Sequence, residues 1–440
     1  MKNFFETLAN IWKIKELRER ILFTLALLAV YRLGSFIPLP GVDEMKLIGL
    51  SEAAENNGLL GLLNSFTGGA FAHAAILGLG VMPYISASIV VQLMAFAIPA
   101  LQKLQKDGES GRKQLTQITR WLTIAIAAVQ GFSYIVAIDS QYQIVAEGIN
   151  MAVFYVCAIA LLVTGTMFCM WLGERITEKG IGNGVSLIIT IGIIARLPLA
   201  LAQEFTNKFT GGSASGVILL LFEVVMWLAV ILFTVYLVKG VRRIPVQYAK
   251  AVAAAGRGGR PSAVGRQYIP LKVNTAGVMP IIFAQAIMFL PGLLGGLFSE
   301  SVKIAFQDMF GFWYNVVLAA LIIVFTYLYT AIAVKTNDMA DDLKRNGGFI
   351  PGLKPGAETA SKLDKILSYL TLPSSFALAL IAILPAFASL AGVDANFAMF
   401  FGGTSLLIMV GVVIDTIQQV NSYLLNRHYD GLMKTGKIQK

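Results

Sequence analysis

Long apolar runs recur from one end of the chain to the other, separated by short polar stretches. A run of about 20 uncharged residues, wound into a helix, matches the hydrocarbon thickness of a bilayer. Hydropathy places ten such runs, near 21–36, 74–99, 121–138, 151–172, 181–202, 217–238, 275–298, 316–334, 371–391 and 396–420. The pattern predicts an all-α polytopic membrane protein with ten transmembrane helices; Gly or Pro inside several runs blurs their ends. One further apolar run, Gly58-Leu-Leu-Gly-Leu-Leu-Asn-Ser-Phe-Thr-Gly-Gly69, is too short to cross. Runs of that length are re-entrant, interfacial or buried in protein.

Composition agrees with the pattern. Of 440 residues, 56% are hydrophobic and 14% charged, against roughly 25% charged in soluble domains. The charge is distributed unevenly. Of thirty-five Lys and Arg, thirty fall on the two termini and on the loops after spans two, four, six and eight, and four on the alternate side. Arg32, inside span one, completes the set. Basic loops stay in the cytoplasm, so both termini are expected there. Met1 to Arg20 is mixed in charge and no small-residue cleavage site follows it, so this segment is expected to be retained.

The chain also carries an internal echo. Gly80-Val-Met-Pro83 and Gly277-Val-Met-Pro280 repeat one tetrapeptide at corresponding places in two sets of five spans. An odd number of spans per set puts the second in the membrane upside down, giving an inverted repeat. The division expected is 1–202, holding spans one to five, and 203–440, holding spans six to ten. A pair of helix kinks is the other reading of the tetrapeptides.

Two basic loops stand out, 239–272 and 335–365. The first carries Lys239, Arg242, Arg243, Lys250, Arg257, Arg260, Arg266 and Lys272 and no acid. Two stretches of strand-forming residues flank its Gly256-Arg-Gly-Gly-Arg-Pro261, which predicts a projecting hairpin. Unpaired cations on a hairpin suit a polyanion such as ribosomal RNA; topology and anionic lipid also account for them. In the second loop Asp338, Asp341 and Asp342 precede Lys344 and Arg345, which predicts a short surface helix. A Gly- and Pro-rich turn with Lys354 at its tip follows.

Chemistry in the usual sense has little to stand on. Cys157 and Cys169 lie twelve residues apart in one apolar run and His73 and His428 are the only histidines, so no metal site, cofactor or disulfide is expected. No phosphate loop, paired carboxylates or nucleophile elbow is present, and the chain does not read as an enzyme. Arg32, Arg196, Glu223 and Asp415 are the charges in or near spans. They are too scattered for an ion-coupled transport path. Glu223 remains open between a helix–helix hydrogen bond and a functional role.

Six strings then occur in order across nearly the whole chain: Gly34-Ser-Phe-Ile-Pro-Leu-Pro-Gly41, Met82-Pro-Tyr-Ile-Ser-Ala-Ser-Ile89, Gly108-Glu-Ser-Gly-Arg112, Gly180-Ile-Gly-Asn-Gly184, Pro270-Leu-Lys-Val-Asn274 and Phe401-Gly-Gly-Thr-Ser-Leu-Leu-Ile408. In these the chain resembles the SecY family of translocon channels. The resemblance implies two inverted five-helix halves around a central hourglass pore, which unfolded secretory proteins cross and membrane proteins leave sideways. It makes the short apolar run a plug over about 58–73, including Leu62, Leu63, Asn64, Ser65, Phe66, Thr67, Gly68 and Gly69. It carries a pore ring to Val81, Ile85, Val185, Ile189, Ile282 and Ile408, aliphatic groups that offer ions and water no ligand. It implies a lateral gate between spans two and three and spans seven and eight, with Gln92, Thr123 and Gln285 as its polar patch. The basic loops become a docking surface for the SecA ATPase or the ribosome through Arg242, Arg243, Lys250, Arg257, Arg260, Arg266, Lys344, Arg345 and Lys354. The family commonly has Arg at the tip position, and Lys354 keeps the charge without the bidentate fork. Partners resembling SecE and SecG, signal sequences, unfolded polypeptide and membrane lipid are implied, in a bacterial inner membrane.

Overall fold

The computed structural model describes residues 14–43, 66–146, 148–210, 214–248, 267–293 and 309–436, with isolated positions between 12 and 64. Its helices are α1 (Lys15–Gly34), α2 (Met82–Ala97), α3 (Pro99–Lys106), α4 (Gly108–Tyr142), α5 (Met151–Lys179), α6 (Gly184–Thr210) and α7 (Ala214–Lys239). After a hairpin come α8 (Met279–Leu293), α9 (Phe312–Ala333), α10 (Thr336–Arg345), α11 (Ala357–Leu390), α12 (Ala395–Ala398) and α13 (Gly403–Gly436).

Among the described residues, seven helices are long and apolar enough to cross a membrane, and an eighth if the bent pair α2–α3 counts as one span. The expectation of ten is therefore met only in part. Helices do stand at the first, second and seventh expected places, but α1 begins with Lys15-Glu-Leu-Arg-Glu-Arg20, and α2 and α8 have 16 and 15 residues. Spans two and ten also start later than hydropathy placed them, at Met82 and Gly403. Residues 67–81 are apolar but form successive turns.

Chain-breaking residues set several boundaries. Gly80 and Gly277 both adopt positive φ, 53° and 65°, a conformation that Gly enters without steric cost. Each is followed at once by a helix with Pro in its first turn, where the missing N–H costs nothing. The two tetrapeptides are thus matching helix starts and not kinks. Pro99 sits at a bend of 105° between α2 and α3. Asn150 begins α5 by accepting the Ala152 N–H at 3.0 Å, satisfying one of the free donors of the first turn.

The basic hairpin forms as expected: β1 (Val241–Tyr248) pairs antiparallel with β2 (Gln267–Lys272), with Ile244 opposite Ile269. A third strand was not anticipated. β3 (Gly348–Phe349), from the other basic loop, pairs with the far end of β1, Gln247 opposite Phe349. Alternation along β1 turns Ile244 and Val246 inward, where they pack with Leu271, Leu343, Ile350, Leu363 and Leu367. The two basic loops are therefore one cap with its own small core, to which α10 contributes Leu343.

Three larger apolar clusters hold the helices together. One is drawn wholly from residues 39–162 and includes Leu39, Phe71, Ile135, Phe154 and Leu162. A second is drawn from residues 230–414 and includes Ile281, Leu318, Ile322, Leu378 and Leu407. The third lies between them and takes Tyr31, Cys169, Ile188 and Ile193 from the first part of the chain, and Phe397, Phe401, Ile408 and Val412 from the last.

Candidate functional site

All six residues of the expected ring meet at the third cluster. Val81, Ile189 and Ile408 are buried members of it, and Ile85, Val185 and Ile282 are partly buried and pack against it. Helical spacing explains the pairs: positions four apart share a face, so Val81 and Ile85 at the start of α2 point together, as do Val185 and Ile189 on α6. Val278 packs against the same cluster although it was not among the six. It stands in its tetrapeptide where Val81 stands in the other, so the repeat itself was the signal that would have found it. With aliphatic side chains from α2, α6, α8 and α13, the site offers neither charge nor hydrogen bonds to a hydrated ion.

The short apolar run enters this cluster. Leu62, Leu63 and Ser65 lie outside the described residues, while Asn64, Phe66, Thr67, Gly68 and Gly69 lie within them. Phe66 is a buried member of the cluster. The segment is knit internally: the Asn64 side chain accepts the Ala72 N–H at 3.0 Å, and the Thr67 hydroxyl accepts the Phe71 N–H at 3.2 Å. It is also held from outside. The Arg32 guanidinium donates to the Gly68 carbonyl, and lies 4.6 Å from the centroid of the Phe36 ring. The Tyr31 hydroxyl reaches the Thr67 carbonyl at 3.4 Å. Gly68, at φ +66°, faces Gly192 of α6 so closely that a Cβ there would meet the Gly192 Cα at 2.9 Å.

The three expected gate residues have different surroundings. Thr123 is buried and donates to the Thr119 carbonyl of its own helix at 2.7 Å. Gln92 is exposed, donates to Ser88 at 3.2 Å, and lines a cleft of ≈ 860 Å³ with Gln102 and Gln105 on one wall and Lys272, Tyr329 and Asp342 on the other. Gln285 is buried beside a separate cavity of ≈ 30 Å³, with Phe66, Asn315 and Ser405.

Of the expected docking residues, Arg242, Arg243, Lys344, Arg345 and Lys354 are exposed on the three-stranded cap. They come from three separate elements of it: Arg242 and Arg243 from β1, Lys344 and Arg345 from the end of α10, and Lys354 from the turn before α11. Lys354 is fixed at its turn by its neighbours, its N–H donating to Glu358 and its carbonyl accepting from Thr359. Lys250, Arg257, Arg260 and Arg266 lie outside the described residues.

The SecY family model matches residues 75–417. The chain belongs to the SecY family. It is 39% identical to the protein translocase subunit SecY of Vibrio cholerae, covering 97% of this chain and 96% of that protein. Similarity to SecY of Escherichia coli strain K12 is 39%, covering 96% and 95%, and to that of Halalkalibacterium halodurans 38%, covering 98% and 100%. Among solved structures, a protein conducting channel superposes with TM-score 0.62 at 17% identity, over 92% of this chain and 91% of that one. Sec61 of a canine ribosome-channel complex from the endoplasmic reticulum superposes with TM-score 0.59 at 17% identity, over the same shares. As a SecY-family chain that covers 95–100% of the length of these relatives, this is a multi-pass membrane protein with the fold of a protein-conducting channel, and its function is protein translocation.

Proposed function

We propose that this chain is the central subunit of a bacterial Sec translocase, passing unfolded secretory proteins across the inner membrane and releasing membrane proteins sideways into it. Val81, Ile85, Val185, Ile189, Ile282 and Ile408 form the constriction, and the segment around Asn64–Gly69 is the plug that seats against it. Residues 1–202 and 203–440 are the two halves, and both termini and the three-stranded cap face the cytoplasm. The exposed cations of the cap receive SecA or the ribosome, and small subunits resembling SecE and SecG complete the assembly. The observation that carries this reading is the meeting of four helices and Phe66 in one apolar cluster. A ring of branched aliphatics is costly for a hydrated ion to enter and has no fixed bonds to break when a peptide pushes through.

The test is Ile85→Asn combined with Ile408→Asn in proteoliposomes. The resting ion conductance should rise, and substrates with defective signal sequences should begin to cross. An unchanged conductance in a folded double variant sinks the ring assignment. Solute transport coupled to an ion is the less favoured reading, because Glu223, the intramembrane acid it would need, is already paired with Lys208.

A further inference from the structure

The buried stripe of α8 runs through Ile281, Ala284, Gln285 and Met288, the spacing of one helical face. Three of these pack in the second apolar cluster. The fourth, Gln285, is an amide only 5% exposed, one turn beyond Ile282. A buried amide without a hydrogen bond is costly, and among the described residues none supplies one to this side chain. The same holds for two more groups, the Tyr314 hydroxyl of α9 and the Thr404 hydroxyl at the start of α13, on residues 2% and 3% exposed. All three residues line the cavity of ≈ 30 Å³ beside Phe66.

Two neighbours complete the polar side of this cavity. Asn315 donates its amide protons to the Met309 and Gly311 carbonyls at 3.0 and 2.9 Å, and Ser405 donates its proton to the Met399 carbonyl at 2.7 Å. Each keeps an oxygen that can accept. The volume suffices for about two water molecules, and the polar groups for the roughly three bonds that a buried water makes. Gln285 stands on α8, Tyr314 and Asn315 on α9, and Thr404 and Ser405 on α13. Water held among them bridges three helices whose other contacts here are apolar. On the remaining side stands the ring of Phe66, 7% exposed, which belongs to none of these helices. Because Phe66 is also a member of the central cluster, withdrawing its ring opens the cavity toward the constriction.

We propose that this cavity is a water site, in which sealed water joins Gln285 to Tyr314 and Thr404 and holds α8 against α9 and α13, with Phe66 as its stopper. The part given to Phe66 rests on the plug reading above; the water site itself does not. Seated, Phe66 traps the bridging water. Withdrawn, it lets that water exchange with the pore, and α8 loses its fixed polar partners as the channel opens. The test uses the chain in lipid nanodiscs with its partner subunits, mixed rapidly into water labelled with heavy oxygen and then given a pulse of radiolysis, which oxidises side chains beside water. Tyr314 should be oxidised despite its burial, and should take up the heavy isotope about tenfold later than Trp313, its exposed neighbour. In Phe66→Ala the two should take it up together. In Gln285→Leu, and in Gln285→Met, which keeps the side-chain length, oxidation of Tyr314 should fall at least fivefold while that of Trp313 stays. Tyr314 left unoxidised in the parent, or oxidised as strongly in both Gln285 variants, overturns the water site; uptake as fast in the parent as in Phe66→Ala overturns the stopper. A stalled substrate that leaves uptake at Tyr314 slow, where Phe66→Ala makes it fast, overturns the plug reading alone.

Discussion

A methyl group on Gly68 would sit 2.9 Å from the Cα of Gly192, with a positive φ of 66° adding to the strain. The reverse also holds, since a Cβ on Gly192 would meet the Phe66 carbonyl oxygen at 2.9 Å and the Gly68 nitrogen at 3.1 Å. All these partners are backbone, which cannot rotate aside. Gly192→Val should therefore push the proposed plug from its seat at a cost on the order of 1–3 kcal/mol. The expected outcome is a higher resting conductance with the membrane-inserted fold intact, read by single-channel recording and by thermal unfolding in detergent.

Arg32 holds the same segment by a bond to the Gly68 carbonyl. A hydrogen bond from a charged donor contributes about 1.5–3 kcal/mol, less here because Arg32 is only partly buried. In Arg32→Gln, a cysteine placed at Thr67, which is 2% exposed in the parent, should react with a membrane-impermeant maleimide roughly tenfold faster, the equivalent of about 1.4 kcal/mol. An unchanged labelling rate would remove Arg32 from any part in seating the plug.

Charge reversal at Arg243, Lys344 and Lys354 should weaken ribosome binding. Counterion release makes affinity for a polyanion fall with salt in proportion to the phosphates neutralised. The variant should therefore show a shallower salt dependence, and its loss relative to the parent should be largest at low salt. Equilibrium binding across a salt series tests this; parallel lines for parent and variant would mean that these cations touch no phosphate.

Leu363 is fully buried in the core shared by the two basic loops. Replacing a buried Leu by Ala costs about 2–5 kcal/mol, and this core is small. Leu363→Ala should loosen the hairpin and the Lys354 turn together, seen as faster hydrogen exchange in both 241–248 and 348–354. Independent loops would respond one at a time.

The hairpin and α10 were legible because strand-forming stretches, turn residues and a run from Asp338 to Arg345 are each contained in a short window. The pairing of β3 with β1 was not, because a two-residue strand has no periodicity and its partner lies about a hundred positions away. The early start assigned to span two has a similar origin: residues 74–81 are as apolar as a helix, and hydropathy does not register that Gly78 and Gly80 end successive turns, with N–H groups donating to Ala75 and Leu77. The proposed ring positions carry no polar signature, so composition alone leaves them as ordinary buried residues; only the family resemblance marks them. Glu223 stayed ambiguous because its partner, Lys208, stands on the preceding helix and meets it only after the chain turns back.

The division of the apolar clusters has a consequence for biogenesis. The cluster drawn from residues 39–162 needs nothing from later in the chain, and domains form in the order in which they are synthesised. The central cluster needs Ile408 and Val412, which are among the last apolar residues to be made. A nascent chain can thus complete its first core early while its middle lacks one wall, and an incomplete copy ending before α13 would be folded in part yet unable to seal. Quality control of this protein should accordingly depend on recognising that missing last wall.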